Sequence, residues 1–392
     1  SKMAKKKANF VSSTTIEKRY AVLRALLAVV ISILFCFLLI LISSETPFAD
    51  IVTFITAPVT TKARFYQMLV KMSPIIFTSL AVCVLFSANT ANLAVEGAFY
   101  AGALASCQIS IMENFLPAPL HFIVAALCGA LGSALVLLIP SFLELKFNAN
   151  IVVCSLMLNY VINNLGNYLI CGPWNDPYCT REATKEIAAS AKLPIILSAQ
   201  GLKVHAGILI GIALCFITWF IIYKTKFGYE SRTCGKNANF AKFSGINVAK
   251  VVIIGSLIAG ALCGIGATSE INGYYKRMDW DKSVGYGWDG IMIACLAGNN
   301  PLLCIPGSLF LAYVRTSADV LNLTSNTPVE MINIVQQVVI IMIAAKNLLS
   351  KSQQKAIVAN ARKDSKYQVQ FYYIENDTTT ITGATVVYSD DE

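Results

Sequence analysis

The chain has 392 residues, 56% of them hydrophobic and only 14% charged, with a formal net charge of +9. A soluble domain carries roughly 25% charged residues, and a disordered chain combines low hydrophobicity with high net charge, so this composition excludes both. What the excess positive charge means depends on where it clusters. Nine of the 12 cysteines (36, 83, 107, 128, 154, 215, 263, 295 and 304) lie in apolar runs, none shows a C-x-x-C spacing, and the two histidines, His121 and His205, stand alone. Metal, cofactor and catalytic-triad chemistry is therefore not expected.

In chain order, residues 1–24 hold seven Lys or Arg against one acid and form a basic N-terminal segment. Stretches of roughly 20 apolar residues, long enough to cross a bilayer, follow at Ala25–Ile42, Phe122–Ile139, Ile151–Ile170, Gly207–Tyr223, Val251–Ala267, Leu302–Leu321 and Met331–Ala345. Leu69–Ser87 joins them if Lys71 snorkels to the interface. The first run is long for a signal peptide and no small-residue cleavage pattern follows it. Ala98–Ser110 and Ile291–Ala297 are too short to span alone and read as pieces of broken helices.

Residues 224–250 and 346–366 each carry six basic residues against one acid. Basic loops favour the cytoplasmic side, so all three basic segments are placed there and the nucleic-acid reading falls away. Ten crossings result, with 43–66, 112–121, 171–204, 268–289 and 322–330 outside. Cys171 and Cys179 flank the outer 171–204 loop and are candidates for a disulfide. No Walker A pattern occurs, so nucleotide-driven work needs another chain.

A short theme recurs. Asn92-Leu-Ala-Val-Glu96-Gly97-Ala98 and Gly285-Tyr-Gly-Trp-Asp289-Gly290-Ile291 both read acid, glycine, short apolar helix. By the topology above the first opens at the inner end of its helix pair and the second at the outer end, as inverted repeats require. Glu96 and Asp289 are either caps, favoured by the helix dipole, or acids lining a pathway through the membrane. Asn92, Asn159, Asn163 and Asn164 place amides in apolar surroundings, either as helix–helix hydrogen bonds or as pathway lining. Tyr274, Tyr275, Trp280, Tyr286 and Trp288 crowd the 268–289 loop; they suit an interfacial aromatic belt or stacking on a flat solute.

The run from Gly228 to Ile246, with Arg232, Gly235, Asn237, Phe240, Lys242, Phe243 and Gly245, resembles the cytoplasmic coupling segment of permease subunits of bacterial ABC importers for simple sugars and nucleosides. Asn92–Gly97, Met157–Val161 preceded by Asn150, and Gly285–Gly290 running on to Gly298-Asn-Asn-Pro301 match the nucleoside (basic membrane protein) branch in the same order. Ala238 stands where that family often has proline, and Phe240 where it has a small residue.

The resemblance, over about residues 20–350, implies an all-α, multi-pass cell-membrane protein of about ten helices, some broken, in two inverted halves. The permease domain would be 25–348, with the coupling segment at 228–246 and cytoplasmic ends at 1–24 and 349–392. Implied partners are a cytoplasmic ABC ATPase, an extracytoplasmic substrate-binding lipoprotein, a second permease chain and the lipid bilayer. The resemblance does not fix the cargo; the leading reading is a nucleoside, purine nucleosides favoured, or a related small polar solute, with simple sugars or riboflavin as alternatives. Candidate pathway residues are Asn92, Glu96, Asn159, Tyr160, Asn163 and Asp289. An ion-coupled secondary transporter using Glu96 and Asp289 is the competing class. The tail beyond Lys366 is rich in β-branched and aromatic residues and reads as a small hairpin or a disordered end.

Overall fold

The computed structural model describes residues 47–113, 116–199, 202–280 and 282–324, with residues 34, 37 and 41 and the strand residues 367–370 and 385–388. The spans expected at Ala25–Ile42, apart from helical Leu34, Phe37 and Leu41, and at Met331–Ala345 lie outside the described residues, as do the basic segments 1–24 and 346–366. The chain divides into two units, residues 32–344 and the two ends taken together.

The larger unit is mostly helical. Its helices are α1 (Pro47–Thr60), α2 (Lys62–Ser87), α3 (Val95–Ser110), α4 (Leu120–Phe147), α5 (Ile151–Cys171), α6 (Gly207–Lys224), α7 (Lys226–Lys236), α8 (Ala238–Phe243), α9 (Val248–Gly273), α10 (Tyr286–Leu296) and α11 (Pro301–Thr324). Among the described residues α2, α4, α6 and α9 are long and apolar enough to cross a membrane. Several boundaries are set by polar caps. Asn148, in the left-handed region at φ 56°, ends α4, and two residues later the Asn150 side chain accepts from Val152 N and Val153 N to start α5.

The centre is α2, buried along most of its length, with α9 packed against it, α3 and α4. Small residues let the backbones meet: a Cβ on Gly264 would lie 2.2 Å from Gly129 O, and one on Gly260 2.3 Å from the Ala134 Cα. This is the small-residue packing that membrane helices use in place of a hydrophobic drive. The outward side of α4 carries Ile123, Leu127, Leu131, Leu135 and Ile139, all exposed and spaced by four, an apolar stripe more than four turns long.

Three expectations are corrected. Residues 43–66 are not all loop, since α1 forms inside them. The segment 171–204, expected as a loop, is structured: Ile195–Ala199 (β1) and Leu202–His205 (β2) pair antiparallel. It is also tied down, because Arg277 pairs with Asp176 and, at 3.4 Å, with Glu186, while Thr184 N donates to Met278 O and Leu193 N to Asn272 O. The guanidinium beside Asp176 holds that carboxyl below its ordinary pKa. Cys171 and Cys179 are free thiols; the one Cys171 S–H is shared between Asn167 Oδ1 (3.0 Å) and Glu182 Oε2 (2.9 Å).

In the smaller unit, Tyr367–Gln370 (β3) and Thr385–Tyr388 (β4) pair antiparallel, with Tyr367 opposite Tyr388.

Candidate functional site

The two short helices meet at their N-termini. At 1.5 Å per residue α3 is about 24 Å long and α10 about 16 Å, both shorter than a hydrocarbon core of roughly 30 Å. Glu96, in the first turn of α3 and buried, accepts from Gly285 N at 2.7 Å through one carboxylate oxygen and from Gly287 N at 2.6 Å through the other. It is a cap, but of α10 and not of its own helix. The two openings therefore lie together.

The Gly285–Gly290 motif follows from this junction. Gly285 sits at φ +92°, a conformation L side chains avoid, and a Cβ on Gly287 would fall 2.4 Å from Glu96 N. A Cβ on Gly290 would fall 2.6 Å from the Thr78 carbonyl carbon, and the Thr78 hydroxyl donates to Tyr286 O at 2.8 Å, seating α10 against α2.

The amides hold the other side. Asn159, in the middle of α5, accepts from Gly97 N (2.9 Å) and donates to Leu93 O (3.0 Å), so one side chain grips the entry into α3. Asn92, fully buried, accepts from Ala94 N (3.0 Å) and donates to Leu137 O on α4 (2.9 Å). Asn163 accepts from Ser283 N at 2.7 Å, tying α5 to the segment that leads into α10. Tyr160 makes no part of this lock. It is 69% exposed, on a face of α5 that also carries Met157, Asn164, Asn167 and Tyr168.

Asp289 is buried in the first turn of α10 and faces Arg315 of α11, with Nη2 to Oδ1 and Nη1 to Oδ2 both 2.8 Å. One turn further along α11, Asp319 pairs with Lys71 of α2 and lies 3.5 Å from Gln67 Nε2. Lys71 thus has a carboxylate partner. Sequence reasoning passed over Arg315 and Asp319; two charges four apart inside an apolar stretch were the available signal.

The loop aromatics divide. Trp280 and Tyr286 are inside the protein, packed with Phe99 (centroids 6.3 and 5.5 Å), and Tyr275 stands edge-on to Trp280 at 5.3 Å. The Tyr100 hydroxyl donates to Trp280 O at 2.8 Å. These rings form a plug beside the α3–α10 junction, neither a belt nor an open stacking face; Tyr274 and Trp288 stay exposed.

The basic segment 228–246 is carried by two helices, α7 and α8. Asn237, at φ −158°, breaks the run and caps α8 by accepting from Phe240 N at 3.0 Å. Gly245, at φ +80°, ends it. Cys234 and Ala241 pack with Ala88 and Val251, fixing the pair of helices to the ends of α2 and α9. A Cβ on Gly235 would lie 2.2 Å from Ser87 O. Arg232 reaches back to α6, its Nε donating to Gly228 O and its guanidinium 5.0 Å over the Tyr223 ring. Phe240 is 61% and Phe243 93% exposed, with Lys242 exposed between them. The Gly298–Pro301 motif is likewise a turn: Gly298 and Asn299 both sit at φ +59°, and Asn300 accepts from Leu302 N to cap α11.

Residues 64–344 match the family described as branched-chain amino acid transport system / permease component. A glucose ABC transporter permease of Haloferax volcanii is 27% identical over 297 residues, covering 73% of this chain and 77% of its own length. A guanosine ABC transporter permease of Bacillus subtilis is 28% identical over 279 residues, 70% of this chain and 79% of that one. A nucleoside ABC transporter permease of Lactococcus lactis is 24% identical over 307 residues, 76% and 84% of the two chains.

Proposed function

This chain belongs to the family of branched-chain amino acid transport system permease components, and on that premise we propose that it is the membrane subunit of an ATP-driven importer for nucleosides, purine nucleosides foremost, or a related small polar solute. As a permease component it is a transport subunit and not an enzyme, so ATP hydrolysis falls to a separate ATPase chain. The observation that carries the transport reading is the junction of α3 and α10, two half-helices meeting head to head against the middle of α5. Half-helices of this kind mark binding sites in transporters built from inverted repeats, and we read α2–α4 and α9–α11 as the repeated sets within about ten crossings.

Asn92, Glu96, Asn159, Asn163 and Asp289 would frame the path by holding this junction in place. Tyr160 would face the path directly, since an uncovered tyrosine beside Asn164 and Asn167 is ill suited to lipid. A second permease chain across that face would complete the channel, with both chain ends cytoplasmic and a substrate-binding lipoprotein docking outside. The relatives named for guanosine and nucleosides support a nucleoside cargo; the relative named for glucose keeps a simple sugar as the second reading. Ion coupling is disfavoured, because both Glu96 oxygens are taken by backbone N–H groups and Asp289 by Arg315.

Coupling to the ATPase would run through α7 and α8, whose exposed Phe240 and Phe243 suit insertion of a short helix into a groove. Phe240→Asp with Phe243→Asp should abolish both ATPase co-purification and uptake of labelled guanosine in proteoliposomes holding the full importer. Retention of the ATPase by the double variant would remove α8 as the coupling element. Faster uptake of glucose than of guanosine by the wild type would move the cargo to the sugar class.

A further inference from the structure

Cys83 lies in the last turns of α2 and Cys304 in the first turn of α11; both are fully buried, and their Sγ atoms are 3.4 Å apart. We infer that these two thiols form a redox modification site that closes to an intrachain disulfide joining α2 to α11. A disulfide needs about 2.05 Å between sulfurs, so the two must approach by roughly 1.4 Å. Two opposed thiols on neighbouring helices meet the first requirement for that bond, which a lone buried cysteine does not.

The setting gives the bond a consequence. One turn beyond Cys83, the Ser87 hydroxyl donates to the Cys83 carbonyl at 2.7 Å, and Ser87 O is the atom against which Gly235 of α7 is packed. On the other side, the Cys304 Sγ lies 3.6 Å from the carbonyl of Asn300, whose side chain caps α11. The pair thus sits in the joint between the inner end of α2, where α7 rests, and the start of α11. A covalent tie there stops these ends from moving independently. This functional half of the inference rests on the importer reading; formation of the bond does not.

Chemically, two S–H bonds break and one S–S bond forms, while two electrons and two protons pass to a peroxide, which leaves as two waters; an added dithiol reverses the change. Both sulfurs are shielded from solvent, so peroxide reaches them only when the α2–α11 interface opens.

The test uses the full chain reconstituted with its ATPase and binding protein, treated with hydrogen peroxide, quenched with an alkylating reagent and mapped by mass spectrometry. The expected result is a linked Cys83–Cys304 peptide lighter by two hydrogens than the two thiol peptides together, with most nucleoside uptake lost and then restored by dithiothreitol. Cys83→Ser and Cys304→Ser should each keep untreated uptake and lose peroxide sensitivity, while Cys215→Ser keeps both uptake and sensitivity. Recovery of both thiols as alkylated peptides after peroxide overturns the site. A linked peptide with undiminished uptake overturns the lock. A linked peptide in a chain that imports no nucleoside untreated upholds the pair and overturns the cargo assignment.

Discussion

Replacing Glu96 by glutamine probes the junction with a change of one atom. The carboxylate accepts two backbone hydrogen bonds from the start of α10, at 2.7 and 2.6 Å. An amide has one acceptor oxygen, so one of the two N–H groups must face the NH2. The loss is one charge-assisted hydrogen bond, about 1.5–3 kcal/mol, plus the attraction of a charge to a helix N-terminus, about 0.3–1 kcal/mol. Together this is roughly 2–4 kcal/mol of local stability at residues 285–290. Because each 1.4 kcal/mol is a factor of ten, amide hydrogen exchange in peptides covering that segment should speed up by roughly thirtyfold to a thousandfold in Glu96→Gln, while peptides from α4 keep wild-type rates. Uptake should fall with it. Unchanged exchange at 285–290 in a folded variant would refute the claim that Glu96 holds α10.

Asp289→Asn and Arg315→Gln should each lower the yield of monodisperse protein, since breaking a buried pair costs about 3–5 kcal/mol, and the double variant should recover part of that loss; a double variant as poor as the sum of the singles would refute the pairing. His205, buried in β2 with the Glu270 carboxylate 4.0 Å from its Nε2 and the Tyr286 hydroxyl on that carboxylate, has its pKa lowered to about 4 by burial. The fold holds the neutral ring, so this stability is full above the ordinary value of about 6.5 and declines as pH falls from there towards 4, by up to about 3 kcal/mol. In thermal unfolding, His205→Gln should flatten the dependence of the midpoint on pH across that window; a curve parallel to wild type would refute it.

The long spans were legible because apolar length is a local property: α2, α4, α6 and α9 all stand where continuous hydrophobic runs lie. What partners each polar residue was not. Glu96 meets Gly285 across 189 positions, Lys71 meets Asp319 across 248, and Asp289 meets Arg315 across 26; no periodicity carries such distances. The length of α1 was hidden by Pro58 in its last turn and by its modest 14 residues. The break at Asn237 was signalled by asparagine's preference for N-caps, inside a run read as one coupling segment. Burial of Trp280 and Tyr286 was illegible for the same reason as the ion pairs, since the rings that cover them come from α3.

The head-to-head meeting of α3 and α10 has an electrical outcome. Each helix N-terminus behaves as about half a positive charge, so the two together present about one, and the single negative charge of Glu96 cancels it. Nearby, Asp289 answers Arg315 and Asp319 answers Lys71. Glu96, Asp289 and Asp319 therefore each meet a positive partner, and none of the three stands as a spare counter-charge at the junction.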